Sequence, residues 1–399
     1  MSGRSSPIRV LHIIQNLNYG GMERLVGDIV RGIDPQEFES HILPLQYVGR
    51  FGTGLSDAAT IHTPPRIARW SMLWPSDLAA VITRISPDVV HSHSGVWYKA
   101  SLAARIARVS RIVHTEHGRQ LPDPRVARTL DHLAARRTST AVAVSSSVAQ
   151  ILEQHVVRGR CPIEVVLNGV DVNRFNPHSD TGKLRRELQL APSTPIIGSI
   201  GRLEPVKGYD VMIAAFAQLV KHTNLGVDPV LVIAGDGSER TNLEARIQAH
   251  GLGSHVHLLG WRDDVQDLLS AFTCFTMSSR SEGTSVSLLE AMSCGLCPVV
   301  TDVGGNRAVL GDRLDHLLVP SGSPDALAAV WANVLTHDEE RTTDGSAARQ
   351  RVIDQYSGDA MLQSYARVYH TARTIPPFGR RATFEHTPVV DRSVAVRDV

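Results

Sequence analysis

Hydrophobic positions in this chain fall into short apolar runs that alternate with amphipathic stretches. Residues 8–14 (Ile-Arg-Val-Leu-His-Ile-Ile) predict a buried first strand. Further strands are predicted at 38–45, 88–93, 140–144 and 164–167, with 111–118 running off a strand into a loop. Helical spacing is read at 22–32, 78–85, 97–109 and 145–155. A turn-rich segment at 168–177 ends this series, and a second one follows. Its strands are expected at 195–200, 230–234, 256–259, 271–277 and from 298. Its helices are expected at 184–190, 283–294, 326–335, 347–356 and 361–374. Strand–helix alternation of this kind predicts parallel sheets with helices on both faces. The chain therefore divides into two α/β domains, 1–177 and 178–355, then a helix at 356–374 and a flexible tail at 375–399.

Composition changes this picture little. The chain has 399 residues, 42% hydrophobic and 20% charged, as a globular protein has. No apolar run approaches the ~20 residues of a membrane span, and residues 1–7 lack the apolar core of a signal peptide. A cytoplasmic location is expected. Four cysteines do not make a disulfide framework, and Cys294 with Cys297 is read as a pair of small buried hydrophobes. The net charge of +1 hides an asymmetry: residues 1–177 hold 20 Lys and Arg against 14 Asp and Glu. The excess lies in 99–137, with nine basic residues and three acidic ones. Solvated helix faces explain such a stretch, and a peripheral contact at the inner face of a membrane is the functional alternative. Residues 63–75 mix arginine with Trp70 and Trp74 and are read as a loop that packs its tryptophans.

The chemistry concentrates around 281–292. Glu282 and Gly283 end a loop, and an apolar helix carrying Glu290 follows. The first turn of that helix leaves amides unpaired and favours an anion. Gly283, Thr284 and Ser285 are small enough for a ligand to approach the backbone. Glu290 lies about 10 Å further along the axis at ~1.5 Å per residue. A ligand touching both carboxylates is long and hydroxyl-rich with an anion in its middle, which is the shape of a nucleotide-diphosphate sugar. Earlier in the chain, Arg202 and Lys207 stand five apart in a glycine-bounded loop after a strand, a fork and a point charge suited to a diphosphate. Gly20-Gly21 separates the first strand from the first helix, a turn that cradles phosphate. It is not the Gly-x-Gly-x-x-Gly dinucleotide fingerprint. His91, His93, His114 and His117 all fall at predicted strand ends, where ligands bind. Their offsets follow those ends rather than a metal-ligand spacing, and no Asp-x-Asp motif is present, so no metal and no cofactor are expected. Asp263-Asp264 is read as a helix start with a capping carboxylate.

Glu282-x7-Glu290 followed by Ala-Met-x-Cys-Gly resembles the donor-site motif of retaining GT-B glycosyltransferases of family GT4. Gly-Gly-Met-Glu at 20–23, His-Gly at 117–118, Asn-Gly-Val-Asp at 168–171, Gly-Arg-Leu-x-x-x-Lys-Gly at 201–208, Gly-Asp-Gly at 235–237 and the glycine loop at 304–305 are similar to further motifs of that family. The resemblance runs from about 8 to 373. Two positions depart from it: Ser285 stands where many members have proline, and Cys297-Pro298 shifts a proline by one.

The resemblance implies a GT-B fold, two Rossmann-like domains facing across a cleft, with an acceptor-binding N-terminal domain and a donor-binding C-terminal one. It implies that the helix at 356–374 crosses back onto the N-terminal domain. It implies a metal-independent hexosyltransferase that retains anomeric configuration. The implied catalytic residues are His117, Glu282, Arg202 and Lys207, with His93 as second choice to His117. The implied donor contacts are Gly20, Gly21, Arg202, Lys207, Gly235, Arg262, Glu282, Gly283, Thr284, Ser285, Leu289 and Glu290. A UDP-sugar is preferred and GDP-mannose is the alternative donor; the acceptor is a glycan or a lipid-linked glycan, in polysaccharide or glycoconjugate synthesis. No nucleic acid partner is expected. A GT-B epimerase, a phosphorylase and a non-catalytic sugar-nucleotide sensor are the rivals; the phosphorylase would need a lysine-bound pyridoxal phosphate, and Lys207 is better placed as a phosphate ligand. A sensor commonly loses Glu282 or His117, and both are present.

Overall fold

The computed structural model describes residues 6–18, 20–65, 74–118, 124–222 and 225–375. The chain forms two compact units. One comprises residues up to Asn168 together with the segment from Gly358; the other is Gly169–Ser357. The turn-rich 169–177 stretch, expected to close the first domain, thus belongs to the second. Val170 explains this: its N–H donates to the Tyr356 carbonyl at 2.9 Å, tying the segment to the far end of the second unit.

The first unit holds a seven-stranded parallel sheet: β1 (Ile8–Ile14), β2 (Phe38–Pro44), β3 (Thr60–Ile61), β4 (Val89–His93), β5 (Ile112–Glu116), β6 (Thr140–Ala143) and β7 (Ile163–Val165), in the order β3-β2-β1-β4-β5-β6-β7. Period-two alternation divides its faces. Ile8, Val10, Val89, Val113 and Val142 pack with Leu25 and Ile29 of helix Gly21–Gly32 and with Tyr365, Val368 and Tyr369 of helix Gly358–Thr374. Leu11, Ile13, Leu43, Val90 and Ile112 cover the other face with helices Ser76–Ile85 and Trp97–Ile106. The last long helix therefore belongs to the first unit, because its two tyrosines and Val368 bury against β1, β4 and β5.

The second unit has six parallel strands: β8 (Ile196–Ile200), β9 (Val230–Ala234), β10 (Val256–Gly260), β11 (Cys274–Met277), β12 (Pro298–Thr301) and β13 (Leu318–Val319), in the order β10-β9-β8-β11-β12-β13. Each sheet reverses its winding once, between β1 and β4 and between β8 and β11. The loops leaving these strand pairs are where a doubly wound sheet opens a crevice for a ligand.

Helix limits differ from expectation where side chains cap them. The helix expected from Gly283 starts at Val286, because the Gly283 carbonyl accepts from the Gly305 N–H at 3.0 Å and Ser285 is the N-cap. The helix expected at 347–356 runs from Asp338 to Gln355, and helix Arg125–Ala135 lies where no element was predicted. Trp74 is 64% exposed rather than packed. Trp70, Arg119 and residues 376–399, including Pro376-Pro377 and Arg380-Arg381, lie outside the described residues. All four cysteines are free thiols; Cys297 is buried and Cys294 half-buried. Burial pushes Cys294 up to about 12, as suits a packing role.

Candidate active site

In the second unit the loops after β8 and β11 meet. Lys207 ends a single 3-10 turn, Pro205–Lys207, and its Nζ donates to Glu282 Oε1 at 2.6 Å, across 75 residues of sequence. Ser279 donates to the same carboxylate oxygen at 2.6 Å. The Glu282 side chain keeps 9% of its surface and that of Lys207 21%. Arg202, in the same loop as Lys207, is exposed, and its guanidinium has no partner among the described residues. Lys207 and Glu282 therefore meet at the ends of two strands, and Arg202 stands five residues before Lys207 in the same loop.

The helix behind them, Val286–Ser293, is capped by Ser285, whose Oγ accepts from the Leu288 N–H at 3.5 Å. The amides of Val286 and Ser287 have no partner within that helix. Thr284 and Ser285 are each 7% exposed, so a ligand reaches them from one side only. Glu290, on the second turn, is buried to 2%. Leu289 has no exposed surface and packs in the core.

Glycines let these loops touch. A Cβ on Gly304, at φ +55°, would stand 1.8 Å from the Glu282 carbonyl oxygen. A Cβ on Gly235, at φ +146°, would stand 1.9 Å from the Gly201 carbonyl oxygen. Gly235 thus holds the Arg202 loop down on the end of β9, with its N–H donating to Gly260 at 2.8 Å.

The Arg262 side chain is engaged within the second unit. Its Nε and Nη2 donate to both oxygens of Asp264 at 2.7 Å, and its Nη1 donates to Glu187 at 2.6 and 2.8 Å. The side chain is spent on ion pairs, which leaves only the main chain to read a base. The same network corrects the capping role of Asp264: it sits at the N-cap of helix Val265–Ala271 but gives its carboxylate to Arg262 and to Lys183, at 2.6 Å, rather than to a first-turn amide. The Arg262 and Lys183 bonds hold that carboxyl well below its ordinary range.

In the first unit, Gly20 is the N-cap of helix Gly21–Gly32. A Cβ on Gly20 would stand 2.2 Å from the Glu23 carboxylate, the movable end of that side chain. His117 follows β5, and His93 ends β4; their rings meet, Nε2 of His117 to Nδ1 of His93, at 3.0 Å. Desolvation holds His117 at about 3, so the ring is neutral. His114 is a core residue, stacked on Trp97 with centroids 3.9 Å apart. Sequence reasoning missed Ser279 and His12, for which no motif signalled; His12 is buried in β1 and bonded to His93.

Comparison with known proteins decides what these two constellations belong to. The family model for glycosyl transferases group 1 matches residues 180–351, and that for glycosyltransferase family 4 matches 19–174. This chain is a GT4 glycosyltransferase. Among its curated relatives, a UDP-Gal:alpha-D-GlcNAc-diphosphoundecaprenol alpha-1,3-galactosyltransferase of Escherichia coli is 25% identical over 372 residues, 90% of this chain and 95% of that protein. A D-inositol 3-phosphate glycosyltransferase of Jonesia denitrificans is 29% identical over 308 residues, 72% of each chain. The solved structure of HepE from Anabaena, in complex with UDP and glucose, has the same GT-B fold, with a TM-score of 0.79 at 22% identity over 91% of this chain and all of that one. The GT4 enzyme transfers a sugar from a nucleotide sugar, and Arg202, Lys207, Glu282 and Glu290 sit in the half matched by the group 1 model. Among the described residues no helix is long and apolar enough to cross a membrane.

Proposed function

We propose that this GT4 enzyme moves a hexose from a UDP-sugar to a hydroxyl of a glycan or lipid-linked acceptor, with retention at the anomeric carbon and without a metal. The observation that carries this reading is the Lys207–Glu282 pair at the point where the winding of the second sheet reverses, with Arg202 exposed in the same loop as Lys207. Arg202 and Lys207 would take the diphosphate, Glu282 the sugar hydroxyls, and Glu290 the ribose. The E. coli relative, whose printed name gives a UDP-sugar and an undecaprenol-linked acceptor, supports the choice of UDP over GDP-mannose and of a lipid-linked acceptor.

In the transfer, the bond from the anomeric carbon to the β-phosphate oxygen breaks, and its electron pair stays on the phosphate. The acceptor oxygen bonds to the carbon on that same face, and its proton passes to the departing phosphate oxygen. Charge grows on the leaving diphosphate, where Arg202, Lys207 and the amides after Gly283 would stabilise it. Two cations and these amides would supply the stabilisation a metal would give. His117 would meet the sugar next to the anomeric carbon.

The test is a thermal-shift panel of UDP-, GDP-, ADP- and TDP-sugars, each with and without EDTA, on wild type and Glu290→Ala. A ligand that binds the native state raises the melting temperature. A UDP-sugar shift that survives EDTA and disappears in the variant is expected. Flat traces, or a shift abolished by EDTA, would reject the reading.

A further inference from the structure

The covered face of the first sheet is apolar at the amino ends of its strands and polar at the carboxyl ends. That face takes every second residue: Val10 then His12 on β1, Val89 then His91 and His93 on β4, Val113 then Thr115 and, just past the end, His117 on β5. The valines join the core. The polar residues find one another instead. His12 Nδ1 lies 3.2 Å from His93 Nε2, and His93 Nδ1 lies 3.0 Å from His117 Nε2. His91 stands aside from this line, with Nδ1 2.8 Å from the Tyr369 hydroxyl and Nε2 2.8 Å from the Thr115 hydroxyl. His93 has both nitrogens engaged; His117 has Nε2 engaged and no partner for Nδ1 among the described residues.

His12 and His93 are buried and His117 is half-buried, and desolvation decides what these rings can carry. Desolvation pushes His12 and His117 down to about 3 and His93 well below its ordinary value. A neutral imidazole has one N–H and one lone pair. His93 must therefore donate on one side and accept on the other. Only two arrangements of the three rings satisfy both contacts. With the proton on every Nδ1, His12 donates to His93, His93 donates to His117, and the Nδ1–H of His117 is left for a ligand. With the proton on every Nε2, the direction reverses, and His117 Nδ1 is an acceptor. Phosphate and ring oxygens of a nucleotide sugar only accept hydrogen bonds and its hydroxyls can accept them, so the first arrangement is the one that serves every oxygen of such a ligand.

We propose that His12 and His93 are positioning residues, a relay of imidazoles that fixes His117 as its Nδ1–H tautomer and so makes it a hydrogen-bond donor to an oxygen of the transferring sugar. The role of that donor rests on the reading above, in which His117 meets the sugar; the relay itself does not. Ser94 completes the support. Its backbone sits at φ +44°, it accepts from the His117 N–H at 3.3 Å, and it donates to Glu116 at 3.0 Å, which holds the end of β5 in place. A metal is the competing use of these rings, since ligand atoms of His12, His91 and His93 lie within 4.8 Å of one another. Those nitrogens are already bonded to each other, to Tyr369 and to Thr115, so a cation would have to replace those bonds.

The experiment is nitrogen-15 imidazole NMR of the wild-type enzyme near pH 7, with His12, His93 and His117 assigned from His→Asn variants that melt cooperatively. Three neutral rings, all protonated on Nδ1, are expected. Kinetics then separate positioning from packing. His93→Ala should lower kcat by about 10- to 100-fold, as loss of a ligand-orienting partner does, with little change in KM. His93→Asn, whose amide reaches the place of Nδ1 beside His117, should recover most of that rate. His93→Gln, which reaches toward His12 instead, should not. A proton on Nε2 of His117, a His93→Asn rate no better than His93→Ala, or one equivalent of zinc that survives chelation and is lost in His91→Ala would each overturn the relay. Wild-type kcat in His117→Ala, with the NMR pattern intact, would overturn the role given to His117 and leave the relay geometry standing.

Discussion

Lys207 and Glu282 form an ion pair, Nζ to Oε1 at 2.6 Å, between the ends of two adjacent strands, and Ser279 donates to the same oxygen at 2.6 Å. The pair has a consequence for ligand binding. A diphosphate that draws on Lys207 competes with Glu282 for it. Glu282→Gln removes the competing charge and keeps an acceptor for Ser279. Affinity for UDP alone should rise by a few-fold, while kcat for transfer should fall ~100-fold through loss of a charged contact to the sugar. Calorimetric titration with UDP and initial rates read the two effects. Weaker UDP binding in the variant would contradict the competition.

The two cations of that loop should separate stability from catalysis. Arg202 is exposed and has no partner among the described residues, so Arg202→Ala should leave stability within ~0.5 kcal/mol and cost transfer about 10²–10³-fold. Lys207→Ala leaves the nearly buried Glu282 carboxylate without its cation and should also lose ~1–3 kcal/mol of stability. Urea melts of both variants beside wild type check the contrast, and equal stability losses would count against it.

Gly304 should tolerate no side chain. At φ +55°, with its Cβ position 1.8 Å from the Glu282 carbonyl oxygen, Gly304→Ala forces the two loops apart. Gly251, at φ +71° with open space around it, isolates the backbone cost alone, ~1–2 kcal/mol. Gly304→Ala should exceed that loss and also abolish the UDP-dependent melting shift; Gly251→Ala should keep it.

Stability should depend on pH through the first unit. His12 sits at about 3 in the folded chain against 6.5 for the free side chain, because burial disfavours its charge. Between these values the unfolded state binds the extra proton, so stability rises with pH through the window and is full above it. The fully buried His12 alone contributes a loss of ~2 kcal/mol between pH 6.5 and pH 5. His91 and His93 are lowered for the same reason and add to it. Melting temperatures should be level from pH 7 to 8 and fall steadily toward pH 5. A flat profile down to pH 5 would show these histidines to be solvated.

The basic excess around 99–137 has a measurable expectation too. Arg105, Arg108, Arg125 and Arg136 are exposed, and Val126, beside Arg125, is 73% exposed. If this surface meets a membrane, co-sedimentation should require anionic lipid, fall with salt, and weaken in Arg105→Glu with Arg125→Glu, at ~1 kcal/mol per charge. Binding to neutral and anionic vesicles alike would reject it.

Local patterns in the sequence determined the two parallel sheets, the strand ends at which a doubly wound sheet opens a crevice, and the residue types proposed for the phosphate site. Apolar runs and helical spacing are properties of neighbouring residues, so 8–14 and 230–234 are legible without a fold. Arg202 and Lys207 were legible too, because both belong to one loop after one strand. The tertiary structure alone decided which side chains meet. Lys207 finds Glu282 because β8 and β11 lie side by side although 75 residues separate the pair. His12 finds His93 because β1 lies beside β4, and no spacing in the chain announces a partner 81 residues away. The Arg262 side chain is consumed by Asp264 and by Glu187, and no spacing announces Glu187, 75 residues away. Strand order is set by how whole faces bury, not by any residue's neighbours, and that is where the sequence alone stops.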